Sequence, residues 1–140
     1  MLYTSADLST GVYVGTGEGS WHTLSDRRKK ANFRDESGEV VLGKLADLPI
    51  QSWTYRAQRP SARHLGPTAQ DFSAAFGLGT DDTTITTVDA DGIALLAIQA
   101  LERRTRVHVL ELSALRTDNA ALRAELTALR AVLDSLVQKR

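Results

Sequence analysis

Six consecutive residues, Ser25-Asp26-Arg27-Arg28-Lys29-Lys30, put a hydroxyl, a carboxylate and four cations side by side. A basic run that feeds a zipper would grip nucleic acid, but that architecture needs its cations on a helix continuous with the heptads. Here residues 31–92 intervene, with Pro49, Pro60 and Pro67 among them, and nucleic acid is excluded as a partner. A solvated charged face leaves the leading Ser-Asp unexplained. A helix start uses Ser25 as N-cap and places Asp26 in the favourable first turn. His22, His64 and His108 are too scattered for a metal motif, and the absence of cysteine excludes disulfides and thiolate sites. Gly15, Gly17 and Gly19 are not followed by the Lys-Ser/Thr of a phosphate loop; they read as a flexible approach to Ser25. Trp53, Tyr55 and Phe72 read as core packing.

The element with the strongest pattern is the C-terminal third. From Ile93 to Arg140 no Gly or Pro interrupts, and apolar residues recur at spacings of three and four. With Leu101, Leu115, Leu122, Leu129 and Leu136 at d, the a positions are Ile98, Leu112, Leu126 and Leu133, with Asn119 at a and His108 at d as polar layers that fix register at a cost in stability. The g and e positions pair Glu111 with Arg116, Asp118 with Arg123 and Glu125 with Arg130. That offset of five is the one at which g of one helix meets e of a parallel, in-register neighbour. An oligomeric parallel coiled coil is expected. Leucine at both a and d does little to enforce a dimer and admits a trimer.

Upstream, Gly11-Val12-Tyr13-Val14-Gly15 suits a short strand between turns. Val40, Val41, Leu42, Leu45 and Leu48 predict a brief helix stopped by Pro49, and Ile50–Tyr55 a strand. A polar loop then runs to Pro67, first residue of a helix through Phe72 and Phe76 to a Gly77 stop. Thr83–Val88 reads as extended, and Asp89 or Asp91 as the start of the long helix. The fold class expected is α+β and helix-rich, a small mixed globular part followed by the coiled-coil helix.

The chain has 140 residues, with 17 basic and 17 acidic side chains. This balance points neither to a polyanion nor to an acidic tail. There is no apolar run of membrane-spanning length, and residues 1–24 lack a signal peptide's basic start and apolar centre. No membrane partner is expected.

The string Ser25-Asp26-Arg27-Arg28-Lys29-Lys30-Ala31-Asn32-Phe33 resembles the opening signature of the self-cleaving intramolecular chaperone domain of phage endosialidases, tailspikes and tail fibres. That domain also occurs in some bacterial surface proteins and in a eukaryotic membrane-bound transcription factor. The pattern asks for Ser-Asp, basic residues, a Lys five after the Ser and an Asn two further on; Ser25, Lys30 and Asn32 meet it. A second block is similar at Arg63, His64, Gly66, Ala69, Gln70, Asp71 and Phe72, and a third at Val88, Asp89, Asp91 and Gly92. Lys29 departs from the family, which more often has an apolar or small residue there.

The resemblance implies that Ser25 attacks the carbonyl of Leu24 and cuts the Leu24–Ser25 bond. A serine hydroxyl needs a base, and the implied base is Lys30. An ordinary lysine has a pKa near ~10.4, so a neutral amine near pH 7 costs roughly 4–5 kcal/mol in water. Burial lowers that cost, so Lys30 is expected in a dry pocket, which neighbouring chains could complete. Residues five apart on a straight α-helix stand about 140° apart around it. Ser25 must therefore precede the helix in a turn, or the pair forms between chains. Asn32, His64 and Asp26 are candidate supporting residues, Asn32 and His64 as oxyanion donors. No cofactor and no metal are implied.

The function implied is a C-terminal chaperone that holds three chains in register while an upstream fibrous β-structure of the same polypeptide folds, then releases itself by one cut per chain. Residues 1–24 would be the end of that fibre, 25–92 the chaperone and protease part, and 93–140 the trimerisation helix. The setting implied is a phage tail fibre or spike assembled in the bacterial cytoplasm, or a bacterial surface protein. A second reading, favoured by Lys29, is a permanent, non-cleaving attachment tip. A transcription-factor relative is disfavoured, because neither a spanning helix nor a DNA-binding domain can be found.

Overall fold

Small side chains that cap and turn the backbone decide where most elements start and stop. The computed structural model describes residues 2–3 and 10–139. The chain divides into two units, Met1–Leu95 and Leu96–Arg140.

In the first unit, β1 (Leu2–Tyr3), β2 (Val12–Val14) and β3 (His22–Thr23) form an antiparallel sheet in that order. Tyr3 and His22 both pair with Tyr13, on opposite sides of β2. The Leu24 amide donates to the Gly11 carbonyl at 2.9 Å, carrying the pairing to the residue before Ser25. β4 (Gln51–Trp53) pairs antiparallel with β5 (His64–Gly66) in the register Trp53 to His64. The polar loop expected before Pro67 thus ends in a strand. Its three residues are too few to show an alternation, and the stack of His64 on Trp53 helps hold it in register.

Helix α1 (Gly38–Asp47) opens on Ser37, whose hydroxyl accepts from the Val40 amide, and closes before Pro49. Helix α2 (Ala69–Phe76) opens on Thr68 and ends on Gly77, whose φ of 64° is the left-handed conformation glycine adopts freely. Pro67 was expected as the first helical residue; it lies one residue outside the cap, because the Thr68 hydroxyl supplies the acceptor for the Asp71 amide. Thr83–Val88 is not extended throughout. The Asp81 carboxylate gathers the amides and hydroxyls of Thr83 and Thr84 into a turn, and helix α3 (Thr87–Gln138) already begins at Thr87. The cap is Thr86, not Asp89 or Asp91: its hydroxyl accepts from the Asp89 amide at 3.1 Å.

The hydrophobic core of this unit is small. Among the described residues its buried apolar side chains are Val41, Leu48, Phe72 and Ile93. Trp21, Phe33, Ile50, Tyr55 and Leu65 are exposed.

The second unit is helical along the remainder of α3. The whole helix has 52 residues, about 78 Å at ~1.5 Å per residue. The apolar ladder read from the heptads lies open along it, from 51% exposed at Leu101 to 61% at Ile98 and Leu129. Asn119 Nδ2 donates back to the Leu115 carbonyl at 3.0 Å.

Candidate active site

The N-cap place that the sequence offers to Ser25 is taken by Asp26. Asp26 is extended, with φ −68° and ψ 125°, and its side chain accepts from the Arg28 amide at the start of a 3-10 turn, Arg27–Lys29. The turn closes with Lys29 and Lys30 amides donating to the Asp26 and Arg27 carbonyls. A 3-10 turn takes about three residues, so the chain returns to the same side between its two flanks. Ser25 stands just before that turn and Lys30 just after it. Lys30 Nζ reaches Ser25 Oγ at 2.6 Å, within one chain. The angular obstacle of a straight helix does not arise.

The cations of the run are divided among different partners. Arg28 takes the Asp26 carboxylate with Nε at 3.1 Å and a terminal nitrogen at 2.8 Å. Its guanidinium holds the Asp26 carboxyl below its ordinary value, with the amide bond from Arg28 adding to the effect. The Arg27 guanidinium lies over the Phe33 ring, 4.7 Å from its centroid. Lys30 goes to Ser25, and the Lys29 side chain is exposed. Asp26 is thereby committed to shaping the turn. The cap position and the residue two further on were a readable sign of this pairing, and Arg28 was the partner that sequence reasoning missed.

Asn32 lies two residues beyond Lys30 with φ 54°, the left-handed region that asparagine enters more readily than most residues. His64 is held elsewhere: its Nε2 lies 2.8 Å from Gln58 Oε1, and its ring stacks on Trp53 and meets Tyr55 edge-on. Trp53 and Tyr55 belong to this aromatic cluster, whereas Phe72 is core. Leu24 is half-buried; Ser25 and Lys30 are exposed in the single chain. The dry surroundings expected of Lys30 are not built by one copy.

Chemically, a 2.6 Å contact lets the lysine donate as an ammonium, or accept the serine proton once it is neutral. Among the described residues no group of three or more His, Cys, Asp or Glu could hold a metal ion, and no helix is long and apolar enough to cross a membrane.

Comparison with known proteins gives one match. No curated protein and no solved structure matches the chain. A family model does match residues 25–77, from Ser25 itself to Gly77, the left-handed cap that closes α2. That family is the peptidase S74 family, described as chaperone of endosialidase, and it is the family whose signature the string from Ser25 to Phe33 resembles.

Proposed function

We propose that this chain is an intramolecular chaperone that assembles as a homotrimer through α3, supports the folding of a fibrous β-segment upstream in the same polypeptide, and cuts itself free between Leu24 and Ser25. The observation that carries the reading is the 2.6 Å contact of Lys30 Nζ with Ser25 Oγ at the first residue of the matched segment. The exposed heptad ladder on α3, together with the small core and the exposed aromatics of the first unit, supports assembly. Burying those leucines is worth about 25 cal/mol per Å² of apolar surface, and one chain leaves that surface in water.

The serine directly follows the carbonyl it attacks, so attack closes a five-atom ring through Oγ, Cβ, Cα, N and the Leu24 carbonyl carbon. Neutral Lys30 takes the hydroxyl proton as Oγ bonds to that carbon. The carbon–nitrogen bond then breaks, and the Ser25 nitrogen leaves with the proton returned from Lys30. This gives an ester between the Leu24 acyl group and Ser25 Oγ. Water hydrolyses the ester to a Leu24 carboxylate and a free Ser25 hydroxyl and amine. Assembly that covers the exposed Lys30 would favour its neutral form, which ties cutting to the trimer. A tail fibre or tailspike is the setting that fits the family's description.

The test is the intact mass of freshly made wild type, Ser25→Ala and Lys30→Ala. A cut wild type with two uncut variants supports the peptidase. Three uncut chains, each at its own full-length mass, with an intact trimer favour the second reading, a permanent attachment tip, for which the exposure of Ser25 and Lys30 and the unusual Lys29 speak.

A further inference from the structure

The segment on the acyl side of the bond is itself tied down. Gly15 to Glu18 forms a reverse turn in which the Glu18 amide donates to the Gly15 carbonyl at 3.2 Å. Gly17, at its third position, has φ 80°, the conformation a type II turn reserves for glycine. The Glu18 side chain folds back over this turn, and its Oε2 accepts from the Gly15 amide at 3.0 Å. The same oxygen lies 2.7 Å from His22 Nε2. That ring nitrogen is shut off from solvent and makes no aligned hydrogen bond, so the contact is one of proximity. His22 also stacks on Tyr13, its partner across the sheet, with ring centroids 5.0 Å apart and planes 19° apart. One carboxylate therefore joins the turn of the β2–β3 hairpin to β3, two residues from Leu24. At its other end the hairpin fixes the Leu24 amide on Gly11.

We infer that Glu18 is a positioning residue for the self-cleavage, latching the β2–β3 hairpin so that the Leu24 carbonyl is held in place for Ser25 Oγ. The inference rests on the peptidase reading above. Attack within a five-atom ring leaves the nucleophile little freedom, so the orientation of the acyl side decides how often the geometry is productive. A displacement of about 1 Å can cost on the order of a hundredfold in rate. Gly15 is part of the latch: a Cβ there would come within normal contact of the Glu18 carboxylate and displace it. Cleavage by this device requires a folded fibre-side hairpin as well as the chaperone part.

The experiment follows intact mass against time for wild type, Glu18→Ala, Glu18→Gln and Gly15→Ala in the full chain, with sedimentation of each sample. Glu18→Ala is expected to slow cutting by about tenfold or more in a trimer of unchanged size. Glu18→Gln keeps an oxygen acceptor for the Gly15 amide and is expected to recover much of the rate; Gly15→Ala should resemble Glu18→Ala. The pH–rate profile should fall in height with its midpoint unmoved, because a positioning group alters geometry and not the charge state of the amine. Wild-type speed in Glu18→Ala, or a displaced midpoint, overturns the inference and leaves the peptidase standing. A wild type that never cuts removes the peptidase and this inference with it.

Discussion

Lys30 Nζ meets Ser25 Oγ at 2.6 Å from across a single 3-10 turn whose flanking residues, Asp26 and Lys30, are both extended. The hydrogen bond alone does not make a base, since either an ammonium or a free amine can hold that distance. Lys30→Arg separates the two roles. Arginine keeps a cation and donors but stays protonated, its pKa being above about 12. The variant is expected to form the trimer, as seen by sedimentation, and to remain uncut by intact mass. Cutting at even a tenth of the wild-type rate would remove Lys30 as base.

Asp26 adjoins the hydroxyl, yet its carboxylate is spent on the Arg28 amide and guanidinium. Its task is to start the turn. Asp26→Ser retains an N-cap acceptor and should cut at a rate near wild type, whereas Asp26→Ala should cut slowly, as measured by mass against time. If the serine variant is as slow as the alanine variant, the charge itself matters and Asp26 takes part in the chemistry.

How far the sequence could be read depends on the range of the forces behind each element. Helices α1 and α2 were legible because Pro49 and Gly77 act on their own neighbours. Strand β5 was not, since His64–Gly66 is held by pairing with Gln51–Trp53 and by the stack on Trp53, neither visible within three residues. Thr83–Val88 misled because its β-branched residues suggest a strand, while Asp81 captures the Thr83 and Thr84 hydroxyls locally. The Ser25–Lys30 pair was legible through a family signature. The Glu18 latch was not, because β3 spans two residues and carries no period.

Phe72 joins α2 to the small core, and its ring lies 5.0 Å from that of Phe76. Phe72→Ala removes a buried ring from a core with few other members, and such truncations cost about 3–5 kcal/mol. The expected outcome is loss of cooperative unfolding of residues 25–86 at temperatures where α3 remains helical, read by near-ultraviolet and far-ultraviolet circular dichroism. An unchanged near-ultraviolet melt would show that this core does not hold the domain.

Asp81 is the acid of the turn before α3, and the hydroxyls and amides of Thr83 and Thr84 lower its pKa to about 2. A carboxyl depressed on folding stabilises the folded state above its unfolded value, near 3.8, and loses that contribution as pH falls through the folded value. The Thr83 and Thr84 amides should thus stay protected from hydrogen exchange at pH 5 and lose protection between about pH 4 and 2. In Asp81→Asn that acid-linked change should vanish, while the turn remains partly formed through the amide oxygen. Loss of protection at pH 5 in the wild type would contradict the assignment.

The heptad reading puts Asn119 at an a position, with leucine in every neighbouring layer of the ladder. In the single chain its Nδ2 is satisfied by Leu115 of the same helix. A parallel, in-register assembly brings the Asn119 residues of all chains into one layer, where they can bond each other, whereas a slipped register leaves them against leucine. In the trimer proposed above, such a polar layer costs stability and rejects misalignment. Asn119→Leu is expected to raise the melting temperature of the oligomer, read by circular dichroism. It should also let cysteines placed singly at exposed positions of α3 cross-link out of register, a product absent from the parent sequence. A lowered melting temperature with unchanged cross-linking would mean that Asn119 does not face the seam, and the heptad register would have to be redrawn.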